Sequence, residues 1–172
     1  MDGNIIITRA VPEDAEETLE YLKIIGGESD NMTFGAEGFP MTAENEAKYI
    51  ASMEGSRTKV MYVAKENGRI VGEASYNSYT RPRLRHRGEF GISVLGSHQN
   101  RGIGAALLEK ILEFARDVAE NEIVNLEVRS DNAAAIHLYE KFGFKKVGRM
   151  EGYLKINGEL IDCDVMQLRF EK

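Results

Sequence analysis

Hydrophobic and polar positions change period several times along the chain, and the changes divide it into elements. Phe90, Ile92 and Val94 alternate with Gly91 and Ser93, the period-2 pattern of a half-buried strand. Past a glycine-bearing turn, Ile103, Leu107, Ile111, Ala115 and Val118 recur at helical spacing and make one apolar face. Earlier in the chain, Ile5, Ile6 and Ile7 read as a first strand, and Pro12 suits the first turn of a helix. Glu13, Asp14, Glu16 and Glu17 complement that helix's positive end, with Ala15, Leu19 and Leu22 as its buried stripe. Thr42 reads as the N-cap of a second helix that carries Ala47, Ile50, Ala51 and Met53. Residues 60–64 and 70–79 flank Glu66-Asn67-Gly68-Arg69, and the Asn-Gly tip predicts a tight hairpin. Residues 123–128 make a short strand. Ser130 or Asp131 then caps a helix bearing Ala135, Ile136, Leu138, Tyr139 and Phe142, which Gly143 ends. A final hairpin joins residues 144–154 to 160–170 around Asn157-Gly158, with Met166, Leu168 and Phe170 on one face.

Two stretches lack a period. Residues 26–40, with Gly26, Gly27, Gly35 and Gly38, read as a mobile loop. Its Phe34 and Phe39 either face a substrate or pin the loop to the core. The run from Arg81 to Arg87 reads as a basic connection, solvated or presented to acidic partners. Strands with helices between them indicate a mixed α/β or α+β sheet, and no linker or repeat divides residues 1–172 into more than one domain.

Composition narrows the classes. At 172 residues, with 42% hydrophobic and 29% charged residues, the chain can bury a core without staples. A net charge of -6 argues against a general nucleic-acid binder. The single cysteine, Cys163, excludes an intramolecular disulfide and gives no metal pattern. No signal peptide or bilayer-spanning apolar run is visible, so a cytoplasmic location away from membranes is the default expectation.

The turn between the central strand and the long helix, Gln99-Asn100-Arg101-Gly102-Ile103-Gly104, carries the most chemistry. The first amides of a helix lack intrahelical partners and sit at the positive end of its dipole, so strand, glycine turn and helix start together suggest a phosphate or pyrophosphate site. A dinucleotide fingerprint would need a third glycine or alanine where Leu107 stands, and a P-loop would need a Lys-Ser/Thr pair after the glycines. Neither is present.

Gln99-Asn100-Arg101-Gly102-Ile103-Gly104 resembles the Gln/Arg-x-x-Gly-x-Gly/Ala signature of the GNAT superfamily of acetyl-CoA-dependent N-acetyltransferases. A second segment, from Asn132 through Ala135 and Tyr139 to Gly143-Phe144, resembles that family's Asn-x-x-Ala-x-x-x-Tyr-x-x-x-Gly-Phe landmark. The likeness runs from about Val60 to the C-terminus, and the branch it resembles holds spermidine, ribosomal-protein-alanine and bacterial amino-acid acetyltransferases.

The resemblance implies a single α+β domain. Its twisted mixed sheet of about seven strands is flanked by about four helices, with a parallel strand pair that splays at the cofactor site. It implies acetyl-CoA as cosubstrate and no metal. The pyrophosphate would lie on the amides of Gln99, Asn100, Arg101, Gly102, Ile103, Gly104 and Ala105. The pantetheine arm would bond the backbone of Ile92 and Val94, with Asn132 and Ala135 beside it. Tyr139 would act as general acid to the CoA thiolate. Glu89, in a strand whose register a bulge often shifts in the family, is the candidate general base. Glu73 and Glu127 are poorer base candidates, and His137 is expected to point away from Tyr139.

The acceptor is expected to be a small primary amine or amino acid, with a protein N-terminus as the alternative and a non-catalytic acyl-CoA-binding module as the reading from another class. Family members often dimerise, and here residues 165–170 are either an interface or an internal strand.

Overall fold

The computed structural model describes residues 5–171; the ends of the expected 1–172 domain lie outside them. Seven strands form one sheet: β1 (Ile5–Arg9), β2 (Lys59–Glu66), β3 (Arg69–Ser78), β4 (Arg87–Val94), β5 (Ile123–Arg129), β6 (Lys145–Ile156) and β7 (Glu159–Arg169). Their spatial order is β1-β2-β3-β4-β5-β7-β6. Every neighbouring pair is antiparallel except β4 and β5, which are parallel. Four α-helices accompany them, α1 (Ala15–Glu28), α2 (Ala43–Ala51), α3 (Ile103–Glu113) and α4 (Ala133–Lys141). The mixed α+β architecture is the expected one, and among the described residues no helix is long and apolar enough to cross a membrane.

Local chemistry explains most element ends. Asn67 and Asn157 both take φ of 51°, followed by Gly68 at 83° and Gly158 at 88°, so each Asn-Gly pair makes the doubly left-handed turn that matches strand twist. Thr42 caps α2 by accepting from the Asn45 amide at 3.3 Å. At the end of α4 the Phe144 amide bonds the Tyr139 carbonyl and the Gly143 amide bonds that of Glu140, a Schellman closure with Gly143 at φ 89°.

Buried side chains lie on both faces of the sheet. On one, Leu107, Leu108 and Ile111 of α3 are fully buried with Ala74, Tyr76, Val124 and Leu126. On the other, Tyr21, Leu22 and Ile25 of α1 pack on Val63 and Ile70, and Ile50 and Met53 pack on Met61. Burying these faces is the main favourable term in forming the domain.

Some boundaries differ from expectation. Gly26 and Gly27 belong to the last turn of α1, not to the following loop. A Cβ on Gly26 would stand 2.1 Å from the Gly35 carbonyl oxygen, because the loop folds back onto the helix there; the glycine is a packing requirement rather than a flexibility signal. Arg87 opens β4 instead of closing the basic loop. The apolar face from Ile103 to Val118 is not one α-helix, since residues 114–118 widen into a π turn. The cap of α4 is Asn132, whose Oδ1 accepts from the Ala135 amide at 3.2 Å. Asp131 pairs with Arg129 instead, and Ser130 donates to Asp164. Of the expected strand at 165–170, residues 165–169 are internal, held in β7 between β5 and β6, and Phe170 lies just past its end.

Candidate active site

β4 and β5 share only three register pairs, Arg87 with Ile123, Gly88 with Val124 and Glu89 with Asn125. Past Glu89 the two strands part. β4 keeps its unbroken register with β3 as far as Val94, so no bulge interrupts it, and β5 stays paired to β7. The edge of β4 that faces β5 is therefore open from Phe90 to Val94, a row of backbone groups available to an extended amide-bearing chain.

A cleft of about 460 Å³ runs along this edge. Of the residues expected at a cofactor site, Ile92, Val94, Gln99, Asn100, Gly102, Ile103, Gly104, Ala105, Asn132 and Ala135 all line it, with Tyr139. Arg101 does not; its guanidinium reaches back to Glu66 at 2.6 Å. Sequence reasoning missed Lys141, two residues past Tyr139 and four past His137 on α4, which joins the cleft wall. His137 also borders this cleft.

The Gln99 amide, expected in the pyrophosphate seat, bonds the Gly96 carbonyl at 3.4 Å, while the first turn of α3 is left without a side-chain cap. Gly102 takes φ 80°, which lets the chain reverse and enter α3 without a side-chain cap. α1 and α2 carry glutamates in their first turns, whereas α3 carries no acidic residue there. The positive end of α3 thus faces the cleft without a neutralising carboxylate. Four contacts hold the turn from behind. Glu66 receives His98 Nε2 at 2.9 Å as well as Arg101, Glu28 receives the Gly96 amide at 3.0 Å, and Gln99 Nε2 lies 3.4 Å from the Val94 carbonyl. Arg101 and His98 hold the Glu66 carboxyl below the usual carboxylate range, so it stays ionised.

A second cavity, about 340 Å³, opens on the α1/α2 side of the sheet. Its walls are Phe34 and Phe39 from the loop after α1, Glu73 and Ser75 from β3, Glu127 and Arg129 from β5, and Tyr153 and Cys163 from the final hairpin. Phe34 and Phe39 contact each other, ring centroids 4.8 Å apart, and both line this space.

Tyr139 lines both spaces, as do Ile92, Ser93 and Asn132. Its ring is 7% exposed and packs edge-on to Phe90 at 5.8 Å and against Phe144 at 5.9 Å. Burial pushes its hydroxyl up to about 12, so the proton is held at neutral pH.

The three carboxylates weighed as bases, Glu89, Glu73 and Glu127, sit in different surroundings. Glu89 accepts from the Tyr79 hydroxyl at 2.6 Å and lines neither cavity. That contact, first among its causes, pushes the Tyr79 hydroxyl up to about 12. Glu127 is raised by burial and by its neighbour Glu89. Glu73, ranked low on sequence, is 9% exposed and faces the second cavity. Burial, then the charge of Glu46, pushes it up to about 7. Nothing in the local sequence marks Glu73, because its surroundings come from distant elements, α1 and the loop after it, with the Glu46 charge from α2.

The family model described as "Acetyltransferase (GNAT) family" matches residues 28–144. Among curated proteins, the L-amino acid N-acetyltransferase AaaT of Escherichia coli is 36% identical over 60% of this chain and 64% of its own length. The N-alpha-acetyltransferase RimI of Mycobacterium tuberculosis is 38% identical over 55% of this chain and 58% of its own. The chain thus spans less than two thirds of the length of these relatives. Among solved structures, a GNAT-family acetyltransferase from Streptococcus pneumoniae superposes with a TM-score of 0.93 at 30% identity, covering 97% of this chain and 100% of that one. Salmonella typhimurium yncA with its cofactor acetyl-CoA shares the fold at a TM-score of 0.84 and 22% identity, covering 99% and 96%. Splayed parallel strands, an uncapped glycine turn and a matching family model over most of the chain lead to one conclusion: the protein belongs to the acetyltransferase (GNAT) family.

Proposed function

We propose that the protein is an N-acetyltransferase that moves the acetyl group of acetyl-CoA to a small primary amine by direct attack in a ternary complex. The observation that carries this reading is the position of Tyr139 at the junction of the two cavities. Acetyl-CoA fits the first. The first-turn amides of α3 offer a seat for its pyrophosphate, the open edge of β4 at Ile92 and Val94 offers partners for pantetheine amides, and Asn132 and Ala135 form the opposite wall. The acceptor enters from the second cavity and meets the thioester beside Tyr139.

In the reaction the neutral amine attacks the thioester carbon, a C–N bond forms and the C–S bond breaks with its electron pair on sulfur. A buried phenol that keeps its proton at neutral pH is suited to protonate that sulfur, and the surplus proton on nitrogen restores the phenol. The amine must first lose its own ammonium proton. Glu89 would take it only through intervening water, because its carboxylate is turned to Tyr79 outside both cavities.

By name, AaaT is an L-amino acid N-acetyltransferase and RimI an N-alpha-acetyltransferase, so amino acids and peptide α-amines both belong in the acceptor panel. The test is thiol release from acetyl-CoA against a panel of amines, run with wild type and Tyr139→Phe. Amine-dependent turnover that collapses in the variant supports the proposal. Tight CoA binding with no amine-stimulated release would favour a non-catalytic acyl-CoA-binding module.

A further inference from the structure

We infer that the second cavity receives a small amine whose only charge is positive, with the Glu73 carboxylate, backed by Glu46, holding the ammonium and taking its proton. The inference rests on the acetyltransferase reading for the proton-transfer step and on the cavity alone for binding.

Glu73 is 9% exposed, and no hydrogen-bond donor among the described residues reaches its carboxylate, although it faces an open space of about 340 Å³. The charged neighbour that acts on it is Glu46, itself 4% exposed in α2. Two buried carboxylates with no cation between them are costly, and a bound ammonium would relieve that cost. Register places Glu73 directly across from Ser93, which lines both cavities. Adjacent strands lie about 4.8 Å apart, so the carboxylate stands one strand from the junction where the thioester would sit.

The cation side of the cavity settles what else the acceptor can carry. Arg129 is the guanidinium on its wall, but Nε and Nη2 bond both oxygens of Asp131 at 2.9 and 2.7 Å, and Nη1 donates to the Asp30 carbonyl at 3.1 Å. An acceptor carboxylate would find Arg129 already committed and Glu127 beside it. The contacting pair of Phe34 and Phe39 rings instead offers aromatic surface to hydrocarbon and to cationic groups.

The balanced step is R–NH3+ plus Glu73 carboxylate giving R–NH2 plus Glu73 carboxylic acid, before the attack described above. The groups facing Glu73 are Tyr21 from α1 and Glu46 and Tyr49 from α2, with Glu127 and Arg129 from β5 and Tyr153 and Cys163 from the final hairpin on the other walls. Burial keeps the three tyrosines and the Cys163 thiol protonated at neutral pH, and Arg129 stays charged, so the glutamates are the groups that titrate.

The experiment compares acceptors matched in all but the carboxylate: methioninamide against methionine, leucinamide against leucine, with 1,4-diaminobutane and a short peptide as further probes. The amides and the diamine are expected to show kcat/KM at least about tenfold above the free amino acids. Glu73→Gln is expected to lower kcat/KM by about 10²-fold and to remove the acid limb of its pH profile, leaving CoA affinity unchanged. Glu46→Gln, which removes one negative charge behind Glu73, is expected to shift that limb to lower pH, a change that a purely structural role would not produce. Calorimetric titration of 1,4-diaminobutane into the CoA-bound protein, with and without Glu73→Gln, reads the site independently of turnover. Diamine binding that depends on Glu73 with no turnover would sink the acetyltransferase reading and keep this site. Preference for free amino acids or for the peptide, an unchanged pH profile in Glu73→Gln, or no diamine binding would overturn the inference.

Discussion

Glu89 and Asn125 are the last residues paired between β4 and β5. One residue further on, Phe90 packs against Tyr139 and Phe144, so α4 and the start of β6 fill one side of the gap where the strands part. The wedge stays open on its remaining sides, and both cavities reach Tyr139 through it. A parallel pair that separates after three positions thus turns a sheet interior into a passage.

Tyr139→Phe keeps the ring that meets Phe90 and Phe144 and removes only the hydroxyl. Thermal stability and CoA affinity are expected to hold, while kcat falls by roughly 10²-fold, the usual contribution of a positioned acid. Steady-state kinetics beside CoA titration checks both halves.

Gly104 lies in the first turn of α3, where an added Cβ would meet Leu138 at 3.6 Å and Val94 at 3.9 Å, ordinary contacts. Gly104→Ala is therefore expected to fold normally. Gly104→Glu places a carboxylate against the free amides and should cut acetyl-CoA affinity by more than about tenfold, since an anion at that end competes with the pyrophosphate. Unchanged affinity in calorimetry would refute the anion seat.

Glu66 gathers His98 and Arg101 behind the same turn. Glu66→Gln loosens both and should raise the CoA dissociation constant several-fold with little change in kcat. The effect should be read at fixed salt, because partly exposed pairs are screened.

Gly26→Ala drives a methyl group into the Gly35 carbonyl, backbone that has no side-chain rotation with which to yield. The loop carrying Phe34 and Phe39 must move. A stability loss of about 1–3 kcal/mol is expected from such overpacking, together with a raised KM for the acceptor and an unchanged one for acetyl-CoA.

Two acids should shape stability in opposite directions. Asp164 is held well below the usual carboxylate range by Arg149, with Lys146 and Ser130 adding to it. A depressed folded value contributes stability that is present above about pH 4 and lost as pH falls. Asp164→Asn should therefore lower the melting temperature at pH 7 and cost progressively less in acid. Glu73 is raised to about 7, so its contribution is present below about pH 4 and lost as pH rises through 7. Glu73→Gln should raise the melting temperature most above pH 7.

The periodic elements were legible because their chemistry is local. Alternation gave the strands, Asn-Gly gave both hairpin turns, and Gly143 gave the end of α4. Misreadings arose where a distant partner outranked a local preference. Gly26 looks like loop punctuation until Gly35 is seen against it, and Asp131 looks like a helix cap until Arg129 claims its carboxylate. The turn at Gln99–Gly104 and the run from Asn132 to Tyr139 could be read as cofactor features because they depend on residue type and spacing. The burial of Glu73 at the second cavity could not.

By itself the sequence determined the seven strands, the four helices and the glycine turn that opens α3, since turn chemistry and apolar period act within a few residues. Only the tertiary structure decided which carboxylates line the second cavity, Glu73 and Glu127 but not Glu89. α1 and the loop after it close over Glu73, the Glu46 charge of α2 acts on it, and the Tyr79 hydroxyl bonds Glu89 outside the cavity. Burial and charge proximity are properties of packed elements, and no local pattern encodes them.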